Sequence, residues 1–83
     1  MAKTRGTLYE RLIQVLRIQF GGLYESDIKP QSSFADDFLA DSFELMQLML
    51  ELEKEFDIEI KSEEMEQLTT VQRTLDFLQR RIS

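Results

Sequence analysis

Asp41-Ser42-Phe43-Glu44-Leu45-Met46-Gln47-Leu48-Met49-Leu50-Glu51-Leu52-Glu53-Lys54-Glu55-Phe56 is the stretch that decides how this chain folds. Advancing about 100° per residue as a helix, it places Leu45, Leu48, Met49, Leu52 and Phe56 on one side, the stripe a helix turns to a core. Phe43, Met46 and Leu50 fall on a second side, rotated from the first by roughly 100–160° on the same arithmetic. Glu44, Glu51 and Glu55 take much of the remainder. A helix in a small domain with one core needs one apolar face. The second stripe is therefore either covered by a long loop or kept for a partner. Ser42 stands at the mouth of this helix beside that second stripe.

The rest of the chain sets limits on what such a helix can serve. At 83 residues the sequence is expected to form one domain over 1–83, burying about 60–65% of its extended-chain surface. With 42% hydrophobic and 31% charged residues it reads as globular. No apolar run approaches the roughly 20 residues of a membrane span, and the N-terminus lacks the order of a signal peptide. Zero cysteines exclude disulfides and thiolate metal sites, which fits a cytoplasmic protein. Net charge is −6, with twelve acids between Ala35 and Glu66 against Lys54 and Lys61. Lys3, Arg5, Arg11 and Arg17 precede this acidic stretch, and Arg73, Arg80 and Arg81 follow it. Its middle would repel phosphates, which argues against nucleic acid, and would steer basic partners toward the central helix.

Upstream, Thr7 with Glu10 makes a capping box, and Leu8, Leu12, Leu16 and Phe20, with Ile13, predict a helix from Leu8 to Phe20. Gly21-Gly22 supplies its left-handed stop and lacks the other residues of a phosphate loop. From Leu23 to Asp41 no period is sustained, and Ile28, Phe34, Phe38 and Leu39 are expected to anchor a long loop with a helical turn near Glu25–Ile28. Downstream, Asp57-Ile58-Glu59-Ile60 reads as an extended connector carrying Ile58 and Ile60 into the core, and Ser62 as the cap of a short helix through Met65. Thr69 with Gln72 predicts a capping box for a last helix from Val71 to about Arg81, burying Val71, Leu75, Leu78 and Ile82. Four helices, one short, with a long first loop, make a small all-α four-helix bundle.

No histidine or cysteine is present, so Ser-His and Cys-His nucleophile pairs are excluded, and no self-contained catalytic site is expected. Asp36, Asp37 and Asp41 lack the glycine and terminal glutamate of a calcium loop, so no metal site is expected. Ser42 has two readings from local chemistry. Either it, or Asp41 before it, is an N-cap, or its hydroxyl bears a phosphate in the positive field of the helix N-terminus.

Ala40-Asp41-Ser42-Phe43, followed by Leu48, Glu51-Leu52-Glu53-Lys54-Glu55-Phe56 and Ile60, resembles the acyl carrier protein family. The likeness extends upstream through Ser33-Phe34-Ala35-Asp36-Asp37 and downstream through Leu68-Thr69-Thr70-Val71-Gln72. It implies a small four-helix bundle that is not itself an enzyme. Ser42 would be esterified by 4′-phosphopantetheine, taken from coenzyme A, with Asp41 assisting the phosphopantetheinyl transferase. The arm's thiol would carry acyl groups as thioesters in fatty-acid, lipid or polyketide-type biosynthesis. Partners would be that transferase and acyl-loading and acyl-using enzymes with basic surfaces, meeting a monomer through Phe43, Glu44, Met46, Gln47, Leu50, Glu53 and Lys54. Fatty-acid carriers typically read Leu-Gly-Ala-Asp-Ser-Leu where this chain has Phe38-Leu39-Ala40-Asp41-Ser42-Phe43, and glutamates where it has Gln47 and Lys54. Those departures point to a specialised carrier. A stand-alone aminoacyl or peptidyl carrier would use the same Ser42, whereas an unmodified acidic adaptor would use only the Phe43, Met46, Leu50 stripe.

Overall fold

Four helices are packed around one set of apolar side chains in the computed structural model, which describes residues 7–82. Lys3 and Arg5 of the basic N-terminal segment, and Ser83, lie outside the described residues. Helix α1 (Leu8–Gln19) opens on the expected box: Thr7 Oγ1 accepts from Glu10 N–H at 3.1 Å, and the Glu10 carboxylate accepts from Thr7 N–H at 2.9 Å. It buries Leu12, Ile13, Val15 and Leu16, with Leu8 and Phe20 half-buried at the ends of the stripe. The left-handed turn after it belongs to Gly22, at φ +91°, a conformation glycine adopts without a Cβ clash.

The long connection that follows has one 3-10 turn at Glu25–Asp27. Ile28 and Phe34 are buried, Phe38 is half-buried, and the rings of Phe20, Phe34 and Phe38 cluster with centroids 5.5–6.5 Å apart. Leu39 does not anchor the loop: it is exposed, and the buried residue at this bend is Ala40.

Helix α2 (Ser42–Phe56) buries Leu48, Met49, Leu52 and Phe56 and half-buries Leu45, while Phe43, Met46 and Leu50 stay exposed. The loop therefore does not cover the second stripe. Asp57, at φ +55°, ends the helix with its N–H on Glu53 O. The extended connector follows, with Ile60 buried and Ile58 half-buried.

Helix α3 (Ser62–Met65) corrects one expectation. Its N-cap position is Lys61, whose N–H donates to the Glu64 carboxylate at 2.9 Å, and Ser62 is already helical. Helix α4 (Val71–Ile82) corrects another. Thr69 and Gln72 form no capping box; Thr70 Oγ1 accepts the Arg73 N–H at 3.1 Å. The Val71 and Gln72 N–H groups go instead to Ser32 O at 3.1 Å and Pro30 O at 2.8 Å, so the long loop supplies the rest of the cap. The buried face of α4 is Val71, Thr74, Phe77 and Leu78, with Leu75 half-buried and Ile82 exposed. Thr74 is tolerated inside because its hydroxyl donates to Thr70 O at 2.9 Å.

α1 packs chiefly on α2 and then on α4. Arg11 ties the first pair together: its guanidinium donates to the Glu55 carboxylate at 3.2 Å and to Glu55 O at 2.9 Å, and lies 4.6 Å from the Phe56 ring centroid. Arg81 fastens α3 to α4 by donating to Glu59 O at 2.6 Å and to the Glu64 carboxylate while its guanidinium covers Phe77. Among the described residues no helix is long and apolar enough to cross a membrane.

Two outcomes follow from this packing. Leu52→Ala, at a fully buried site, is expected to lower unfolding stability by about 2–5 kcal/mol, and Leu50→Ala by less than about 1 kcal/mol, in urea denaturation. The Glu64 carboxyl is held below the usual carboxylate range, first by the Lys61 backbone N–H and then by Arg81, against some desolvation. Its contribution is therefore present above the unfolded carboxylate pKa and lost as pH falls through the lower folded value. Glu64→Gln should speed amide exchange in α3 at neutral pH, and the difference from wild type should close in acid.

Candidate functional site

Asp41, in extended backbone, is the N-cap of α2: its Oδ1 accepts from Glu44 N–H at 2.8 Å, and the Glu44 carboxylate accepts from Asp41 N–H at 3.2 Å. Of the two caps the sequence allowed, the structure selects Asp41. Ser42 is thereby the first helical residue, exposed, and among the described residues its hydroxyl has no hydrogen-bond partner. It projects from a helix end whose free N–H groups and partial positive charge favour an anion.

The loop delivers this cap in a defined register. Ser33 and Asp37 close a tight turn, with Ser33 N–H on the Asp37 carboxylate at 2.6 Å and Asp37 N–H on Ser33 O at 2.8 Å. Ala40 N–H reaches back to Phe34 O at 3.0 Å, which requires the chain to reverse at Leu39. Leu39 does so at φ +57°, in the left-handed region, where an L-residue with a Cβ is disfavoured by roughly 1–2 kcal/mol.

A groove of about 650 Å³ opens beside Ser42. Its walls are mostly apolar and include Leu45 and Met49 from α2, Phe34 from the loop, and Met65 and Leu68 from α3 and the turn after it. Sequence reasoning missed the groove because its walls come from separate segments; the available signal was Met65 and Leu68, apolar residues in an acid-rich stretch.

Along the outward side of α2, Phe43 is 66% exposed, Met46, which also lines the groove, 56%, and Leu50 49%. Gln47 and Lys54 are exposed too, Lys54 lying 3.9 Å from the Glu51 carboxylate. Glu44 and Glu53 are placed differently from the rest of the expected partner face. Glu44 closes the capping box, and Glu53 is half-buried, its carboxylate accepting from Ile60 N–H at 2.7 Å. Among the described residues no group of three or more carboxylates could hold a metal ion.

The site is thus an exposed serine on the first turn of a helix, beside an apolar groove in a small helical bundle. The chain matches the family described as phosphopantetheine attachment site over residues 8–78, and it belongs to that family. Its domain is the site of covalent 4′-phosphopantetheine attachment, and the protein is a phosphopantetheine-carrying carrier.

Because Asp41 makes the cap, Ser42→Ala should change unfolding stability by no more than about 0.5 kcal/mol, whereas Asp41→Ala should cost about 0.5–2 kcal/mol. Equal losses in denaturant titrations would show that Ser42 shares the cap.

Proposed function

We propose that Ser42 bears the 4′-phosphopantetheine arm and that this chain carries acyl intermediates as thioesters, as a specialised cytoplasmic carrier in fatty-acid, lipid or polyketide-type biosynthesis. The observation that carries this reading is the unengaged, exposed Ser42 hydroxyl on the first turn of α2. Other serines are less suited. Ser32 is buried and accepts the Lys29 N–H, Ser33 accepts the Asp36 N–H, and Ser62 opens a helix of four residues. In the loading step the Ser42 oxygen forms a bond to phosphorus. The bond from that phosphorus to the adenosine bisphosphate of coenzyme A breaks, and the hydroxyl proton passes to a base. Asp41, exposed beside it, is the residue proposed to assist the transferase. The arm, once bound, supplies a thiol that holds the cargo as a thioester. The chain itself positions and presents that cargo and catalyses nothing, and the groove beside Ser42 has the apolar lining that suits a bound acyl chain.

Partner choice is assigned to the exposed side of α2. Phe43, Met46, Gln47, Leu50 and Lys54 fall within about 100° of one another around the helix. An uncharged Gln47 and a cationic Lys54 therefore flank the apolar ridge that docking enzymes would cover. A lysine set against a basic surface is repulsive, a common source of specificity.

Incubation with coenzyme A and a broad-specificity phosphopantetheinyl transferase should add the mass of one arm to the wild type and none to Ser42→Ala. An arm mapped to another residue would overturn the assignment. With the arm loaded, Gln47→Glu combined with Lys54→Glu should raise turnover by a malonyl transferase and a ketosynthase of housekeeping fatty-acid synthesis. That gain should shrink as salt screens the charges. Efficient turnover of the wild type, with no gain in the double variant, would mark an ordinary fatty-acid carrier.

A further inference from the structure

The wall that α3 and the turn after it give to the groove is held differently from the rest of the fold. Ile60 and Leu68, each 4% exposed, are anchored in the core, and no residue from 61 to 67 between them is buried. Met65 and Glu66 from this stretch nevertheless line the groove beside Ser42. Its backbone bonds are local: the Glu64 and Met65 N–H groups return to Lys61 O, and the Gln67 N–H to Glu64 O. A four-residue helix with no buried side chain is a segment that opens at little cost. Arg81 opposes that opening from α4. Its guanidinium donates to Glu59 O, before α3, and to the Glu64 carboxylate within it. The same guanidinium lies 4.7 Å from the ring centroid of the buried Phe77, which fixes the fork from behind.

We propose that Arg81 is a positioning residue for the cargo: by tying down α3 at two points it keeps Met65 against an acyl chain lying in the groove. The proposal rests on the reading that Ser42 bears the arm and that the groove takes its cargo. Arg81 does not line the groove. It acts through Glu64, whose neighbour Met65 does. The Glu64 carboxyl is held below the usual carboxylate range, first by the Lys61 N–H and then by Arg81, so the ion pair persists at neutral pH. The effect of Arg81 depends on what the arm carries. An acetyl group has no chain to place between the walls, whereas an octanoyl group has methylenes to bury there. Loss of the tether therefore loosens long cargo and leaves short cargo as it was.

The test loads the carrier with an octanoyl or an acetyl arm from the matching coenzyme A thioester and follows release by hydroxylamine in a mass spectrometer. The amine nitrogen bonds to the thioester carbonyl carbon, the carbon–sulfur bond breaks, and a proton passes to the sulfur. Each rate is divided by that of the same thioester on free coenzyme A. The wild type should protect octanoyl and leave acetyl near the free rate. Arg81→Ala should speed octanoyl release about fivefold, the order expected of a partly exposed ion pair, and leave acetyl release unchanged. Glu64→Ala, which spares the bond to Glu59 O, should shift octanoyl release in the same direction by less. The double variant should be no faster than Arg81→Ala, because both changes break one contact. Wild-type octanoyl rates in Arg81→Ala, equal acceleration of both cargoes, or additive effects in the double variant would each overturn the proposal. A wild type that releases octanoyl at the free rate would instead overturn the groove reading beneath it, and a wild type that gains no arm would overturn the Ser42 assignment.

Discussion

The hydrogen bonds between the long loop and the start of α4 are the constraint on which the site depends. Phe34 N–H donates to Thr69 O at 3.1 Å, and Ser32 O and Pro30 O accept from Val71 and Gln72. These bonds serve two segments at once. They satisfy donors that a helix N-terminus leaves unpaired, and they hold a loop that has little repeating structure of its own. Phe34, fully buried between them and the core, makes the attachment cooperative with packing. From this fixed point the chain reverses, Ala40 bonds back to Phe34 O, and Asp41 arrives in register to cap α2. The position of Ser42 is thus set by contacts made more than twenty-five residues further along the chain.

That dependence explains which features were legible in the sequence. The Thr7–Glu10 box, the α1 stripe and the two faces of α2 are properties of residues close in sequence, and each formed as the spacing implied. The cap of α4 was misassigned to Thr69 and Gln72 because the donors there are satisfied by Ser32 and Pro30, remote residues that no local pattern reveals. Thr74 was overlooked as a core residue for a related reason: its hydroxyl bonds within its own helix, so a polar label concealed a side chain able to pack. Leu39 looked like an anchor because leucine usually is one; only the backbone angle turns it outward. The groove is assembled from separate segments and has no contiguous signature at all.

The acidic character of the central helix also changes meaning once its carboxylates are placed. Two of the glutamates counted toward a partner-facing charge hold the helix itself. Glu44 closes the α2 cap, and Glu53 receives the Ile60 N–H that fixes the exit toward α3. Glu55 is bound to Arg11 across the α1–α2 contact. Near the ridge, Glu51 lies 3.9 Å from Lys54, a loose exposed pair of the kind that adds little to stability. The outward side of α2 is consequently more apolar and less negative than its composition suggests. On such a surface charge can steer an encounter and exclude a wrong partner. In the docking proposed above, affinity would come mainly from burying Phe43, Met46 and Leu50. Discrimination between carrier-using enzymes should then follow the shape of the apolar recess each one offers, with Lys54 acting against those whose rim is most basic.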